Sequence, residues 1–157
     1  MTPGNDAAII LLRTNSEHPD FVALVQMLDT ELAVRDGDDH AFYHQFNGIQ
    51  TIRHALVAYL DGIPVACGAI KTFEPGVYEV KRMFVLAVHR NQGLASQILA
   101  ALENWTLELG AEACILETGQ NQPEAIRLYE KNGYQRIPNY GQYQGVENSV
   151  CFKKVLK

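Results

Sequence analysis

Apolar residues in this chain alternate between short unbroken runs and stripes at helical spacing, and that alternation predicts an order of elements. The run Ala7-Ala8-Ile9-Ile10-Leu11-Leu12 reads as a buried first strand ending near Thr14. Asp20 then stands where a helix cap belongs, ahead of a stripe at Phe21, Leu24, Val25, Leu28 and Leu32. Residues 35–39 read as a charged break, and residues 40–46 as a short second helix ended by Asn47-Gly48. Apolar runs at 55–60 and 63–70 flank Asp61-Gly62, a hairpin signal because both turn residues tolerate positive φ. Glu74-Pro75-Gly76 turns the chain again, into a strand over 77–85. Leu94, Ile98, Leu102, Trp105 and Leu109 then recur at spacings of four, four, three and four, one face of a helix ended by Gly110.

The remaining third repeats the change of period. Residues 113–117 form a further strand, and Pro123 suits the first turn of a helix that runs to about Asn132 with Gly133 as its cap. A short strand at 134–137, a loop rich in Tyr, Gly and Asn at 138–145 and a last strand at 149–155 complete the chain. The order is β-α-α-β-β-β-α-β-α-β-β. Strands cluster early and crossovers come late, so the expected fold is α/β (α+β), a mixed central sheet flanked by helices, antiparallel first and parallel where a helix crosses over.

Composition narrows this without changing it. With 157 residues and 47% hydrophobic content, the chain is long enough for one domain, spanning 1–157, with a substantial core. A formal charge of −5 argues against a nucleic-acid partner. Cys67, Cys114 and Cys151 are far apart, odd in number and set in apolar stretches, which reads as reduced thiols in a cytoplasmic protein. No basic segment followed by a long apolar run opens the chain, so neither a signal peptide nor a membrane span is expected.

Candidate chemistry concentrates at Arg90-Asn91-Gln92-Gly93-Leu94-Ala95-Ser96, between the strand at 77–85 and the long helix. A strand that turns through a glycine-bearing loop into a helix aims several unpaired backbone N–H groups, with the helix dipole behind them, at one spot. That is an anion site suited to a pyrophosphate. Neither G-x-x-x-x-G-K-[ST] nor G-x-G-x-x-G is present. The pattern R-x-x-G-x-A instead resembles the pyrophosphate loop of the GNAT superfamily of N-acetyltransferases. A second segment, Ala125-Ile126-Arg127-Leu128-Tyr129-Glu130-Lys131-Asn132-Gly133-Tyr134, is similar to that family's A-x-x-L-Y-x-x-x-G-[FY]. The predicted element order also matches, so the resemblance covers most of the chain.

That resemblance implies the acyl-CoA N-acyltransferase fold, acetyl-CoA as co-substrate and an amine acceptor. It implies that Tyr129 stands near the CoA sulfur and assists its departure, and that pantetheine runs along the backbone of Phe84, Val85 and Leu86. The Val85 N–H would polarise the thioester carbonyl. The family often places Asn three residues before the alanine; here Gln122 holds that position, with Asn121 beside it, and either amide could reach the cofactor. A tyrosine with an ordinary pKa near 10 would protonate a thiolate of pKa about 8.5 only uphill, by roughly 2 kcal/mol, so a hydrogen bond to the leaving sulfur is the safer role.

Glu79 is the candidate base. It interrupts an apolar strand together with Lys81 and Arg82, and charge on a covered strand is costly unless paired or placed in a cleft. It would either form a salt bridge to a neighbouring strand or take a proton from a substrate ammonium. An alkyl amine of pKa about 10.4 is only about 0.04% neutral at pH 7, so a base has work to do. Glu117 is a second contender. The loop from Pro138 to Tyr143 and the segment at 40–47 are expected either to border the acceptor pocket or to be a solvated loop and a surface helix. His40 and His44 are four apart, but no H-E-x-x-H or third ligand accompanies them, so no metal is expected. The reading is an acetyl-CoA-dependent transferase acting on a primary amine of a small molecule or peptide by direct attack in a ternary complex. A non-catalytic acyl-CoA sensor or interaction module is the alternative, and edge strands near the C-terminus leave room for a homodimer.

Overall fold

The structure, a computed structural model, describes residues 8–37 and 51–157. Its strands are β1 (Ile9–Thr14), β2 (His54–Leu60), β3 (Ile63–Glu74), β4 (Val77–Val85), β5 (Ala113–Gly119), β6 (Gln135–Ile137) and β7 (Ser149–Val155). The helices are α1 (Pro19–Asp36), α2 (Leu94–Glu108) and α3 (Pro123–Lys131). The strands join in one 7-stranded sheet in the order β1-β2-β3-β4-β5-β7-β6. β1 to β4 are antiparallel neighbours, β4 and β5 run parallel across the α2 crossover, and β7 returns antiparallel to β5.

Both faces of the sheet are covered, which is why its central strands read as unbroken apolar runs. Strand β2 shows the alternation directly. Leu56 and Ala58 pack with Ile98, Leu99 and Leu102 of α2, whereas Ala55 and Val57 pack with Phe21 and Leu24 of α1. Each such fully buried Val, Leu or Ile side chain contributes about 1.5–3 kcal/mol relative to exposure. The β2–β3 turn has Asp61 at φ 52 and Gly62 at φ 80, the paired positive values that a two-residue hairpin requires.

Strand β4 carries an irregularity that bears on the site. Pairing with β3 shifts between Cys67 and Ala69, where Arg82 takes a left-handed φ of 62, so the chain bulges beside Gly68. A Cβ on Gly68 would lie 2.6 Å from Met83 Sδ and 2.8 Å from Ile98 Cγ2, so any larger residue there would have to displace these side chains.

Several boundaries differ from the sequence expectation. His18, not Asp20, caps α1: its Nδ1 accepts from the Asp20 N–H at 3.1 Å. The anticipated break at Arg35 is instead the last turn of α1, because Arg35 is tied to Glu31 at 3.4 Å and to Glu124 of α3 at 3.0 Å. β1 is an edge strand, not a buried one, leaving Ile10 62% exposed. Leu109 lies past the end of α2 and is also exposed. Ala7 and the expected helix at 40–46, with His40 and His44, lie outside the described residues.

Candidate active site

The parallel pairing of β4 with β5 covers only Val77–Ala113, Tyr78–Cys114 and Glu79–Ile115. Beyond Glu79 the two strands part, and the opening between them joins two cavities. The larger, about 620 Å³, runs along the end of β4 and the loop into α2 to the start of α3. The smaller, about 120 Å³, lies between β4, β5 and the second half of α1. Tyr129, Gln122, Ala125, Met83 and Leu28 line both.

The large groove is shaped mainly by backbone. Gly93 caps α2 in the left-handed region (φ 84, ψ 4), after Asn91 at φ 63. A Cβ on Gly93 would meet nothing within 4 Å, so the space before the helix is open. The first turn of α2 contains no acidic residue and its cap makes no side-chain hydrogen bond. The N–H groups of Leu94, Ala95 and Ser96 therefore face this space unspent, with the positive end of the helix dipole behind them. Ser96 Oγ accepts from Asn132 Nδ2 at 3.1 Å, which pins the turn to the end of α3. The groove's volume, its orphan donors and the absence of a carboxylate in that turn fit a diphosphate-bearing acyl donor.

At the other end of the groove, the Leu86 N–H donates to Val65 O at 2.9 Å. Alternation along an antiparallel ladder turns the adjacent Val85 N–H away from β3, into the opening. The Val85 carbonyl accepts from Arg90 Nε at 2.9 Å. Arg90 Nη2 in turn reaches Glu31 at 2.7 Å, and the guanidinium lies 5.6 Å from the Phe84 ring. Arg90 thus braces the loop against α1. Of the residues singled out for the cofactor, Phe84, Val85, Arg90, Asn91, Gly93, Leu94, Ala95, Ser96 and Gln122 line the groove. Gln92 is exposed beside it, and Asn121 gives its amide to the Arg35 carbonyl at 3.4 Å.

The small pocket is built from side chains. Glu79 and Lys81 share one face of β4, and Glu117 projects from β5. Glu79 is 8% exposed. Its Oε2 accepts from Tyr140 OH at 2.6 Å, and Lys81 Nζ stands 3.8 Å from its Oε1. A cation thus stands beside Glu79 on its own strand, and Lys71 of β3 lies opposite it in register. Burial, reinforced by the Glu79 charge, pushes the Tyr140 hydroxyl up, so it remains a donor. Glu117 accepts from Ser149 Oγ at 2.7 Å. Tyr129 is buried, and among the described residues its hydroxyl has no hydrogen-bond partner. Burial first and the Glu117 charge second raise its pKa, so it too stays protonated.

The sequence did not single out Leu28 and Leu32 as pocket walls, since they read as the core stripe of α1. The ion pairs from α1 to Arg90, Glu124 and Arg82 were equally out of view, Arg82 Nη1 meeting Asp29 at 2.9 Å. Only the half-polar second half of α1 hinted that this stretch leaves the core. Among the described residues, no group of three or more His, Cys, Asp or Glu side chains is placed to hold a metal ion, and no helix is long and apolar enough to cross a membrane.

This architecture, a splayed mixed sheet with an N–H-lined groove at a β–α turn, is that of an acyl-CoA-dependent transferase. The chain belongs to the acetyltransferase (GNAT) family, whose sequence model matches residues 21–134. Acetyl-CoA is the acyl donor of that family. Among curated relatives, an IAA acetyltransferase of Azospirillum brasilense is 39% identical over 102 residues, 64% of this chain and 67% of that protein. The uncharacterized N-acetyltransferase YsnE of Bacillus subtilis (strain 168) is 34% identical over 92 residues, 57% and 61% of the two chains. The matched part thus spans about two thirds of each relative's length. A crystal structure from Klebsiella pneumoniae, assigned to the acyl-CoA N-acyltransferases, is 32% identical with a TM-score of 0.81, covering 97% of this chain and 100% of that one. The Thermoplasma acidophilum PaiA N-acetyltransferase, solved with coenzyme A, shares the fold at a TM-score of 0.70 and 14% identity over 94% of this chain and 99% of its own.

Proposed function

We propose that the chain is a single-domain N-acetyltransferase that moves the acetyl group of acetyl-CoA to a primary amine by direct attack. The observation that carries this reading is the position of Tyr129, on the wall shared by the donor groove and a pocket holding a buried carboxylate. The α2 N-terminus, with Gly93 to Ser96, would hold the pyrophosphate, and the Val85 N–H would bond the thioester carbonyl. Acetyl-CoA supplies an acyl carbon made electrophilic by its sulfur.

Glu79 removes a proton from the acceptor ammonium, directly or through one water, leaving the nitrogen lone pair free to attack that carbon. Tyr140 holds the carboxylate in place through its 2.6 Å hydrogen bond. As the C–S bond breaks, the Tyr129 hydroxyl donates a hydrogen bond to the departing sulfur. Because burial raises its pKa, full proton transfer to a thiolate costs more than the roughly 2 kcal/mol of an ordinary tyrosine, and the thiolate collects its proton from solvent or the acceptor. No cysteine relay is needed. Burial pushes the Cys151 thiol, near Glu79 and Glu117, up to about 11, which leaves little thiolate at neutral pH.

The test is coenzyme A release from acetyl-CoA against a panel of amino acids, alkyl amines, peptides with free N-termini and IAA, the acceptor named for the Azospirillum relative. Sustained release with at least one acceptor, plus a mass gain of one acetyl group on it, is the expected result. Tight acetyl-CoA binding with no turnover of any acceptor would instead identify a sensor.

A further inference from the structure

The mechanism above leaves the buried charge of Lys81 unused. Lys81 has a side chain 10% exposed, lines the small pocket and meets Glu79 only at 3.8 Å, longer than a hydrogen bond. Among the described residues, its ammonium has no hydrogen-bond partner. A strongly hydrated cation with three donors rarely sits this deep without an acceptor for them. Arg82, the next cation on the strand, is by contrast held by Asp29 at 2.9 Å.

We propose that Lys81 is a specificity determinant that binds the carboxylate of the acceptor, and that the acceptor is a small free amino acid or a close analogue carrying amine and carboxylate on one carbon. This rests on the acetyl-transfer reading of the same site. The pocket is bipolar: Glu79 and Glu117 face an incoming ammonium, and Lys81 faces an anion. A purely cationic acceptor would set a second positive charge against Lys81, and a simple anion would meet two carboxylates. A zwitterion satisfies both. With the Glu79 and Lys81 charges 3.8 Å apart, the acceptor's own charges must also be close together, as on one α-carbon. A volume of about 120 Å³, walled by Leu28 and Leu32, admits only a short side chain. A peptide N-terminus carries an amide where this site offers an ammonium, and fits it less well. Burial lowers the proton affinity of Lys81, and a carboxylate at its Nζ would restore it.

The experiment compares L-alanine, L-serine and L-threonine with their three carboxamides, by coenzyme A release at saturating acetyl-CoA. The acids are expected to exceed the amides in kcat/KM by about 10–100-fold, the worth of a hydrogen bond to a charged group. Lys81→Met should collapse that ratio to within about threefold, through the acceptor KM, and Lys81→Arg should retain part of it. Titration calorimetry of the acids into coenzyme A-loaded protein gives a second readout that needs neither variant nor turnover. Amides turned over as well as acids, or a ratio untouched by Lys81→Met, would overturn the assignment while leaving acetyl transfer standing. Acids that bind but are never acetylated would sink the transferase reading and leave this one. Neither binding nor release sinks both.

Discussion

The groove and the pocket that meet at Tyr129 are made from different parts of the polypeptide. The groove presents N–H groups of Val85, Leu94, Ala95 and Ser96, held in place by two left-handed residues, Asn91 and Gly93. Its side chains mostly brace the frame, as Arg90 does between Val85 and Glu31. The pocket presents side chains: Glu79, Lys81 and Glu117 from β4 and β5, and Tyr143 from the loop before β7. A family that shares one donor and varies its acceptor is served by this division. Backbone recognition survives sequence drift, and side-chain recognition is where drift changes the substrate. The contrast is open to attack by substitution on each side.

The largest effect is expected from Glu79→Gln. Glutamine preserves shape and the ability to accept from Tyr140 but cannot take a proton. Turnover should fall by about 10²–10⁴-fold, the usual worth of a positioned base, with acetyl-CoA affinity within about twofold. A variant that keeps the parent's rate would move the base to Glu117. Next comes Tyr129→Phe, which removes the hydroxyl of a residue that lines both cavities. Loss on the order of 10² in kcat, with little change in the acetyl-CoA KM, is the pattern of a bond made only as the sulfur departs. An equal rise in KM would make Tyr129 a piece of the groove wall instead.

How far the site could be read in the sequence follows the same division. The loop at Arg90–Ser96 was legible because its chemistry is local: a strand, a glycine and a helix stripe within a score of residues create the donors. Strand β7, from Ser149 to Val155, was legible for the same reason. Of the pocket, Glu79, Glu117 and the loop at 138–143 could be named as candidates, but not the contacts that join these distant positions. Tyr140 reaches Glu79 across 61 residues, and nothing between them encodes that meeting. α1 was read too short because Arg35 looks like a break until Glu124, on α3, is seen beside it. Asp20 resembles a cap, yet its carboxylate accepts from Tyr59 OH at 2.6 Å, while His18 does the capping. Period and turn chemistry reveal what neighbours in sequence do; they are silent on which strand face meets which loop.

A smaller effect tests the frame that keeps the two regions together. Gly68 sits against the β4 bulge, with Met83 Sδ, Ile98 Cγ2 and Leu102 Cδ1 at 2.6, 2.8 and 3.1 Å from a Cβ placed there. Gly68→Ala overpacks this contact and should cost about 1–3 kcal/mol, several degrees in Tm. Because Met83 lines both cavities, the acceptor KM should shift along with stability. Thermal unfolding that matches the parent would show the bulge to be soft and its role in shaping the site small.

The smallest expected effect is the sharpest for the comparison. Gln92 belongs to the R-x-x-G-x-A segment, and a site that read side chains would need its amide. Here it is exposed and outside the groove lining, between Asn91 and Gly93, whose backbone angles set the loop. Gln92→Ala keeps the N–H and alters neither of those angles. Surface substitutions of this kind fall within about 0.5 kcal/mol, so the acetyl-CoA dissociation constant should stay within roughly twofold of the parent. Calorimetry or protein-fluorescence titration decides it. A tenfold weakening would mean that the groove grips its ligand through side chains as the pocket does, and the division between backbone-built donor site and side-chain-built acceptor site would fall.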